Sequence, residues 1–384
     1  VLLAVWGAAL PVAAQPAPPQ ACEPVLGLYA VPVEACSLVA SHGFTTIHNY
    51  RFESDRPLDV PRFVGEARAY LDAAARHGLD VLLGVPRNWL RDRREADVRE
   101  VVRALADHPA LLAWYEDEQA QSGRFDSVRL LARSVEAEDP EHGLIIEEGR
   151  NDSRLLGIGR VRMFTYYPVT ARARRAGRLR SLRGRFPVHA LRVPFWPVLQ
   201  AFGRDLVAGY RKPDLVAPTQ PELRYTLYSA LGAGARGLFF YTFLHSTRYD
   251  EARAAKGQWP YEQAQPLPEM APQLWRTVLE CAREARTLLP LLENAVAVDA
   301  VEVLEGGEDL EVAQWRTPHG TYVLLANPTY EARRVELQAR VATGGFERLD
   351  GAAFVTLRGL GGARCDLLLS GPGGVCLRLR AADD

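Results

Sequence analysis

Lysine is almost absent from this chain of 384 residues: only Lys212 and Lys256 carry an ammonium, and arginine supplies the rest of the 46 basic side chains. Against 47 acids they leave a net charge of −1. That balance removes any electrostatic case for nucleic acid or an acidic membrane surface as partner. The arginine bias tracks base composition rather than a binding site. Cysteine is scarce too. Cys22, Cys36, Cys281, Cys365 and Cys376 form an odd set with no CxxC pair and no ligand-like spacing, so no metal or other cofactor is implied. In an exported protein Cys365–Cys376 could close a hairpin and Cys22–Cys36 could tie down the first strand; isolated core thiols are the equal alternative. No glycine-rich phosphate turn follows the first apolar run, which argues against a doubly wound nucleotide-binding sheet.

Long hydrophobic runs are confined to the start, "VLLAVWGAALPVAAQPAPPQ". The run has signal-peptide length and ends in the small residues Val12-Ala13-Ala14, ahead of a Pro/Gln/Ala linker. Pro11 breaks it too early to span a bilayer well. Residues 1–20 are therefore read as a signal peptide, cleaved near Ala14, and a linker, although a basic n-region is lacking. The expected location is secreted or periplasmic, with no transmembrane segment.

What is present is an alternation. Eight short apolar runs fall at 25–31, 44–50, 79–85, 110–117, 143–148, 161–167, 195–200 and 237–243. Each is continuous rather than alternating, as befits strands covered on both faces. Between them lie amphipathic stripes: Phe63, Val64, Ala67, Leu71 and Ala74, then Val98, Val101, Val102 and Leu105. Thr219 and Glu222 form a capping box ahead of Leu223 and Leu227. Eight strand–helix units over about 270 residues predict a (β/α)8 TIM barrel across 21–292. From 293 to 384 the texture changes to strands and turns. A hairpin is expected to turn at Pro318-His319-Gly320, and Val335, Leu337, Ala339 and Val341 alternate onto one face. The fold class is thus α/β, a barrel followed by a small antiparallel β-sandwich.

Barrel function sits at the C-terminal strand ends. "HPALLAWYEDEQ" drives an apolar run into Glu116, Asp117 and Glu118 at the tip of the fourth strand. Other tips supply His48, Asn49 and Arg51; Arg87 and Trp89; Glu147, Glu148 and Asp152; Tyr166 and Tyr167; Gln200; and Tyr241 and His245. Rings that cover pyranose faces, beside acids and amides that hold hydroxyls, suit a carbohydrate. Bland readings stand beside these. Glu116 reads as a solvated or structural acid, Glu147 and Glu148 as loop charges, His48 and His245 as satisfied structural histidines, and Trp114 and Trp196 as barrel filling. Alternation leaves open whether Asp117 faces the cleft.

"HPALLAWYEDEQ", "FWPVLQAFG", "PTQPELRYTLYSALGAGARGLFFYTF" and "YVLLANPT" together resemble a group of bacterial glycoside-hydrolase-like proteins. In these a clan-A-type barrel precedes a β-sandwich, and the fourth strand commonly ends in "HPALxxWYxxDEP". The resemblance runs in order through most of 25–330. It implies that Glu118 is the acid/base, with Asp117 beside it. The family's nucleophile, a glutamate ending the seventh strand, is replaced here by Gln200, and "TYYP" stands where an Asp often precedes "YP". Both departures weigh against a retaining double displacement, because an amide cannot form the glycosyl ester.

Three functions therefore stand open. The first is a secreted glycoside hydrolase with Glu118 as general acid and Asp117, Glu148 or Asp152 as its partner. The second is a carbohydrate-binding barrel without turnover. The third is a structural cell-envelope protein. Gln200, His48, Asn49, Tyr166, Tyr167, Tyr241 and His245 are the expected ligand-facing side chains.

Overall fold

A computed structural model describes residues 24–117, 122–148, 152–155, 157–186, 193–208, 214–247, 264–341, 343–350, 353–357 and 363–380. The expected leader, Cys22 and Glu118 lie outside them. Eight parallel strands close into a barrel in sequence order. They are β1 (Val25–Leu28), β2 (Thr46–His48), β3 (Asp80–Leu83), β4 (Leu111–Glu116), β5 (Leu144–Glu147), β6 (Val161–Tyr166), β7 (Phe195–Gln200) and β8 (Gly237–Tyr241). Each of the eight apolar runs contains one of these strands.

Alternation along each strand sorts its side chains between two cores. Leu82, Ala113, Tyr115, Ile145, Met163, Trp196, Val198 and Phe239 fill the bore. Their neighbours Val81, Leu83, Trp114, Ile146, Phe164, Leu199 and Phe240 face the surrounding helices. Burial on both faces is why the strands read as unbroken apolar runs. Gly27 lacks a side chain for a packing reason: a Cβ there would sit 2.2 Å from the Phe239 ring that fills the bore.

The helical coat comprises α1 (Cys36–Ser41), α2 (Val60–Ala75), α3 (Arg87–Arg91), α4 (Glu95–Leu105), α5 (Phe125–Glu138), α6 (Ala171–Arg175), α7 (Leu182–Arg185), α8 (Gln220–Gly232), α9 (Leu267–Met270) and α10 (Pro272–Leu291). The expected stripes are the buried faces of α2 and α4. The capping box forms at α8, where the Thr219 N–H and hydroxyl both donate to Glu222, at 2.7 and 2.8 Å. The coat departs from one helix per strand. Between β5 and β6 the described residues hold only a 3-10 turn, Ser153–Leu155. The intervening "GRNDSRLLGIGR" is rich in turn formers and offers no apolar helical stripe. Among the described residues no helix is long and apolar enough to cross a membrane.

Beyond α10 the chain is antiparallel. One sheet orders β11 (Val296–Ala297), β13 (Glu311–Thr317), β14 (Gly320–Asn327), β19 (Gly373–Arg380), β16 (Gly345–Asp350) and β17 (Ala353–Thr356). The other orders β12 (Val301–Glu305), β15 (Arg333–Ala339) and β18 (Arg364–Leu369). Thr317 pairs with Gly320, so the hairpin turns through Pro318-His319. Val335, Leu337 and Ala339 lie in the core between the sheets, whereas Val341 falls past the strand and is exposed. Period-two alternation also docks this unit on the barrel. Val323 and Leu325 of β14 face the smaller sheet, while Tyr322, Leu324 and Ala326 join the barrel's outer core. Burial pushes the Glu311 carboxyl up; it accepts bonds from Tyr225 and Ser229 of α8 at this junction, which oppose that rise. Cys36, Cys281, Cys365 and Cys376 are free buried thiols. The Cys365–Cys376 bridge does not form: Cys365 packs between the sheets, and Cys376 faces the barrel.

Candidate active site at the barrel mouth

Strand parity divides the acids that end β4. Tyr115 belongs to the bore, so Asp117, two residues on, continues the bore-facing row and is 5% exposed. Trp114 and Glu116 turn outward. The Trp114 indole N–H donates to Asp139 Oδ2 at 2.8 Å, and Glu116 faces the buried Arg162 guanidinium. On β5 the same rule applies from Ile145, which lines the bore. Glu147 follows it inward and is 2% exposed. Glu148 turns outward to Arg162, at 3.4 Å.

Rings fill the mouth above these carboxylates. Tyr29, just beyond β1, shares a 2.6 Å hydrogen bond between its hydroxyl and that of Tyr115. It stacks on Tyr50 with centroids 5.8 Å apart and lies 5.9 Å from Tyr241. Tyr167 continues the bore side of β6, 6.0 Å from Tyr241, and Phe202 packs edge-on against both. Burial pushes the Tyr29 phenol well up, and the Glu147 and Asp117 carboxylates push it further. Burial and then Asp117 do the same to Tyr50. These shifts place two carboxylates and a ring cluster within electrostatic reach of one another.

A chain of polar contacts runs under one side of the mouth. Arg87, the first residue of α3, donates from Nη2 to Asp117 Oδ2 at 2.5 Å. The same nitrogen lies 3.5 Å from Glu53 Oε2, and the other Glu53 oxygen bonds His48 Nε2. His48 is fully buried, its ring within 4.8 Å of the Tyr29, Tyr50 and Tyr115 rings.

Several expected site residues go elsewhere. Tyr166, expected to face a ligand, instead sits on the outer face of β6 with Phe164, and its hydroxyl donates to Arg180 O and Ser229 Oγ, at 2.8 and 3.2 Å. Gln200 lies at the mouth end of β7, but its amide is committed to backbone. Nε2 donates to Val169, Val216 and Phe202 carbonyls, and Oε1 accepts from Val169 N. The Asn49 amide is likewise spent on Val31 O and Arg51 N. His245 is buried on β9 (Leu244–Ser246), which pairs antiparallel with β10 (Ala264–Pro266); burial pushes its imidazole down to about 4, against opposing backbone bonds at Thr242 and Ala201. Asp152, expected as a partner acid, pairs with the exposed Arg154. Burial raises Glu148, with the Asp152 N–H and Arg162 opposing that rise. Sequence reasoning missed Tyr29, Tyr50 and Glu53, and it placed Glu147 at a strand tip but read it as a loop charge. Parity counted from Ile145 turns Glu147 toward the bore; no period marks the other three. Among the described residues no group of three or more His, Cys, Asp or Glu is arranged to hold a metal ion.

The sequence matches no protein-family description and no curated protein. The fold is shared with solved structures. A glycoside hydrolase family 5 protein from Bacteroides vulgatus superposes with a TM-score of 0.61 at 12% identity, covering 94% of this chain and 90% of that one. A structure titled glycoside hydrolase gives 0.60 at 12%, covering 94% and 93%. AmyP in complex with maltose gives 0.59 at 14%, covering 90% and 88%. The chain therefore shares the fold of these glycoside hydrolases, a TIM barrel followed by antiparallel sheets. At these identities the likeness speaks for the fold alone.

Proposed function

We propose that the protein is a glycoside hydrolase acting at the C-terminal mouth of its barrel, with Glu118 as general acid. The observation that carries the reading is the delivery of Asp117 and Glu147, from adjacent strands, into a mouth of tyrosines. Rings offer faces to a sugar, and buried carboxylates offer acceptors to its hydroxyls and charge to an oxocarbenium-like transition state. Glu118 would protonate the departing glycosidic oxygen. Glu147 or Asp117 would serve as the second carboxylate, activating water or attacking carbon. A carboxyl separation of roughly 6.5–9.5 Å fits inversion and roughly 5–5.5 Å fits retention. Arg87 already engages Asp117, which favours Glu147 for the second role. Export goes with this reading, through the leader proposed for residues 1–20.

A second reading, carbohydrate binding without turnover, draws support from Gln200. No carboxylate ends β7, and the amide there is occupied by loop backbone. One experiment separates the two. Wild type, Glu118→Gln and Glu147→Gln are screened for hydrolysis and for binding on one glycan panel. Hydrolysis lost in both variants with binding kept supports the enzyme; binding without hydrolysis in all three supports the lectin-like barrel.

A further inference from the structure

Glu53 belongs to none of the strand ends, yet it is 3% exposed and sits at the centre of the polar chain beneath the mouth. It is held from three sides. His48 Nε2 bonds Oε1, the Arg87 guanidinium faces Oε2, and the Arg87 backbone N–H donates to the Glu53 carbonyl at 3.1 Å. Its side chain also lies against Gly84, just past β3. A Cβ at Gly84 would come within 2.3 Å of Glu53 Cγ, so a glycine there leaves room for the carboxylate. Among the described residues His48 is anchored through Nε2, and Nδ1 has no hydrogen-bond partner.

We infer that Glu53 is a positioning residue: braced by His48 and Gly84, it fixes the Arg87 guanidinium that holds Asp117 in the mouth. A buried carboxylate opposite a guanidinium restricts where that planar fork can point. Among the described contacts Arg87 links Glu53 to Asp117, so removing the Glu53 charge takes away one of the groups that aim Arg87, and the aim of Asp117 shifts with it. The inference rests on the mouth being the carbohydrate site, because only then does the aim of Asp117 matter to function.

The test reads the chain from its far end. His48 imidazole 15N resonances, identified by their loss in His48→Gln, report on protonation and hydrogen bonding at the ring. They are expected to move in Glu53→Gln, in Arg87→Gln, and in Asp117→Asn, three links away. Asp299→Asn, an exposed acid paired with Arg340 in the C-terminal sheets, leaves them in place. Gly84→Ala, which displaces Glu53 without altering a mouth residue, reproduces the Glu53→Gln shift. If Asp117→Asn and Arg87→Gln leave His48 unmoved, the chain ends at Glu53 and the inference is overturned, whatever the protein's activity. Kinetics give the second arm. Glu53→Gln lowers kcat about 10–100-fold at unchanged KM, the scale of a displaced reacting group, and costs nothing further in an Asp117→Asn background. Additive losses overturn positioning through Asp117. A wild type with no turnover sinks the hydrolase reading alone, because the His48 resonances still decide the chain.

Discussion

Replacing Gln200 by glutamate separates two views of the seventh strand end. If the site is a glycosidase centre missing only its nucleophile, Gln200→Glu supplies the carboxylate. The hydrogen bonds argue otherwise. Nε2 donates to three carbonyls, Val216 at 2.8 Å, Val169 at 3.1 Å and Phe202 at 3.2 Å, while Oε1 accepts from Val169 N at 3.1 Å. Three acceptors and one donor fix the orientation of the amide. A carboxylate keeps the one bond from Val169, loses all three donated bonds, and turns a negative charge toward three carbonyl oxygens in a site that is 0% exposed. Each lost bond costs about 1 kcal/mol net. An uncompensated buried charge costs about 3–5 kcal/mol, which we take as the total because protonation or water entry caps it. At roughly 2 °C per kcal/mol for a chain of this size, the melting point falls by about 6–10 °C at pH 7. The sign with pH follows from the same contacts. The acceptors raise the introduced carboxyl above its unfolded value of about 4.3, so the folded state binds the extra proton. The charge part of the deficit is then absent below about pH 4.3, where only the lost amide bonds remain, and it grows as pH rises through the folded pKa. Thermal melts of Gln200→Glu and wild type at pH 4 and pH 7 measure it. A variant that melts with wild type at pH 7 and gains retaining hydrolysis would refute the assignment of this amide to loop bracing.

Tyr166→Phe removes bonds to Arg180 O and Ser229 Oγ on the outer face of β6; stability should fall by about 1–2 kcal/mol in denaturant titration, with glycan affinity unchanged. Tyr241→Ala removes a ring that borders Tyr29, Tyr50, Tyr167 and Phe202, and should weaken oligosaccharide binding by roughly 10-fold, the scale of an aromatic contact of about 1 kcal/mol with its apolar burial; unchanged calorimetric affinity counts against a ring-lined site. His245 is held neutral by burial, its folded value about 4 against 6.5 unfolded. The unfolded state therefore takes the proton first: this contribution is complete above pH 6.5, declines as pH falls toward 4, and amounts to about 3 kcal/mol at its limit. His245→Asn should flatten the acid limb of the stability curve between those values, and an unchanged slope would contradict it.

All eight barrel strands were legible because two-sided burial leaves continuous apolar runs, a signal that survives uncertainty of a residue at either end. Site residues were less legible for the same reason. In a run such as "MFTYYP" or "GLIIEE" no alternation tells which of two neighbours faces the bore, and an error of one residue exchanges the faces. Hence the sequence does not separate Tyr166 from Tyr167, of which Tyr167 meets Tyr241, nor Glu147, whose charge raises the Tyr29 phenol, from the loop acids around it. Glu53 and Tyr50 sit on a 3-10 turn and its edge after β2, where no periodicity marks a buried acid. Gln200 was placed at the correct strand end, but its bonding depends on how the loops after β6 and β7 fold back, which no pattern in β7 encodes. That the described residues between β5 and β6 hold no α-helix was legible in principle, since that segment carries no apolar stripe.

The measurement closest to the central claim is hydrolysis of a glycan panel by wild type beside Glu118→Gln and Glu147→Gln. Each glutamine is nearly isosteric with the acid it replaces, so fold and binding should persist. Loss of the proton donor in Glu118→Gln should slow turnover by roughly 10²–10⁴-fold, and Glu147→Gln should remove the second carboxylate with a comparable loss. Turnover by Glu118→Gln at the wild-type rate, or wild type that binds glycans and cleaves none, would contradict the account.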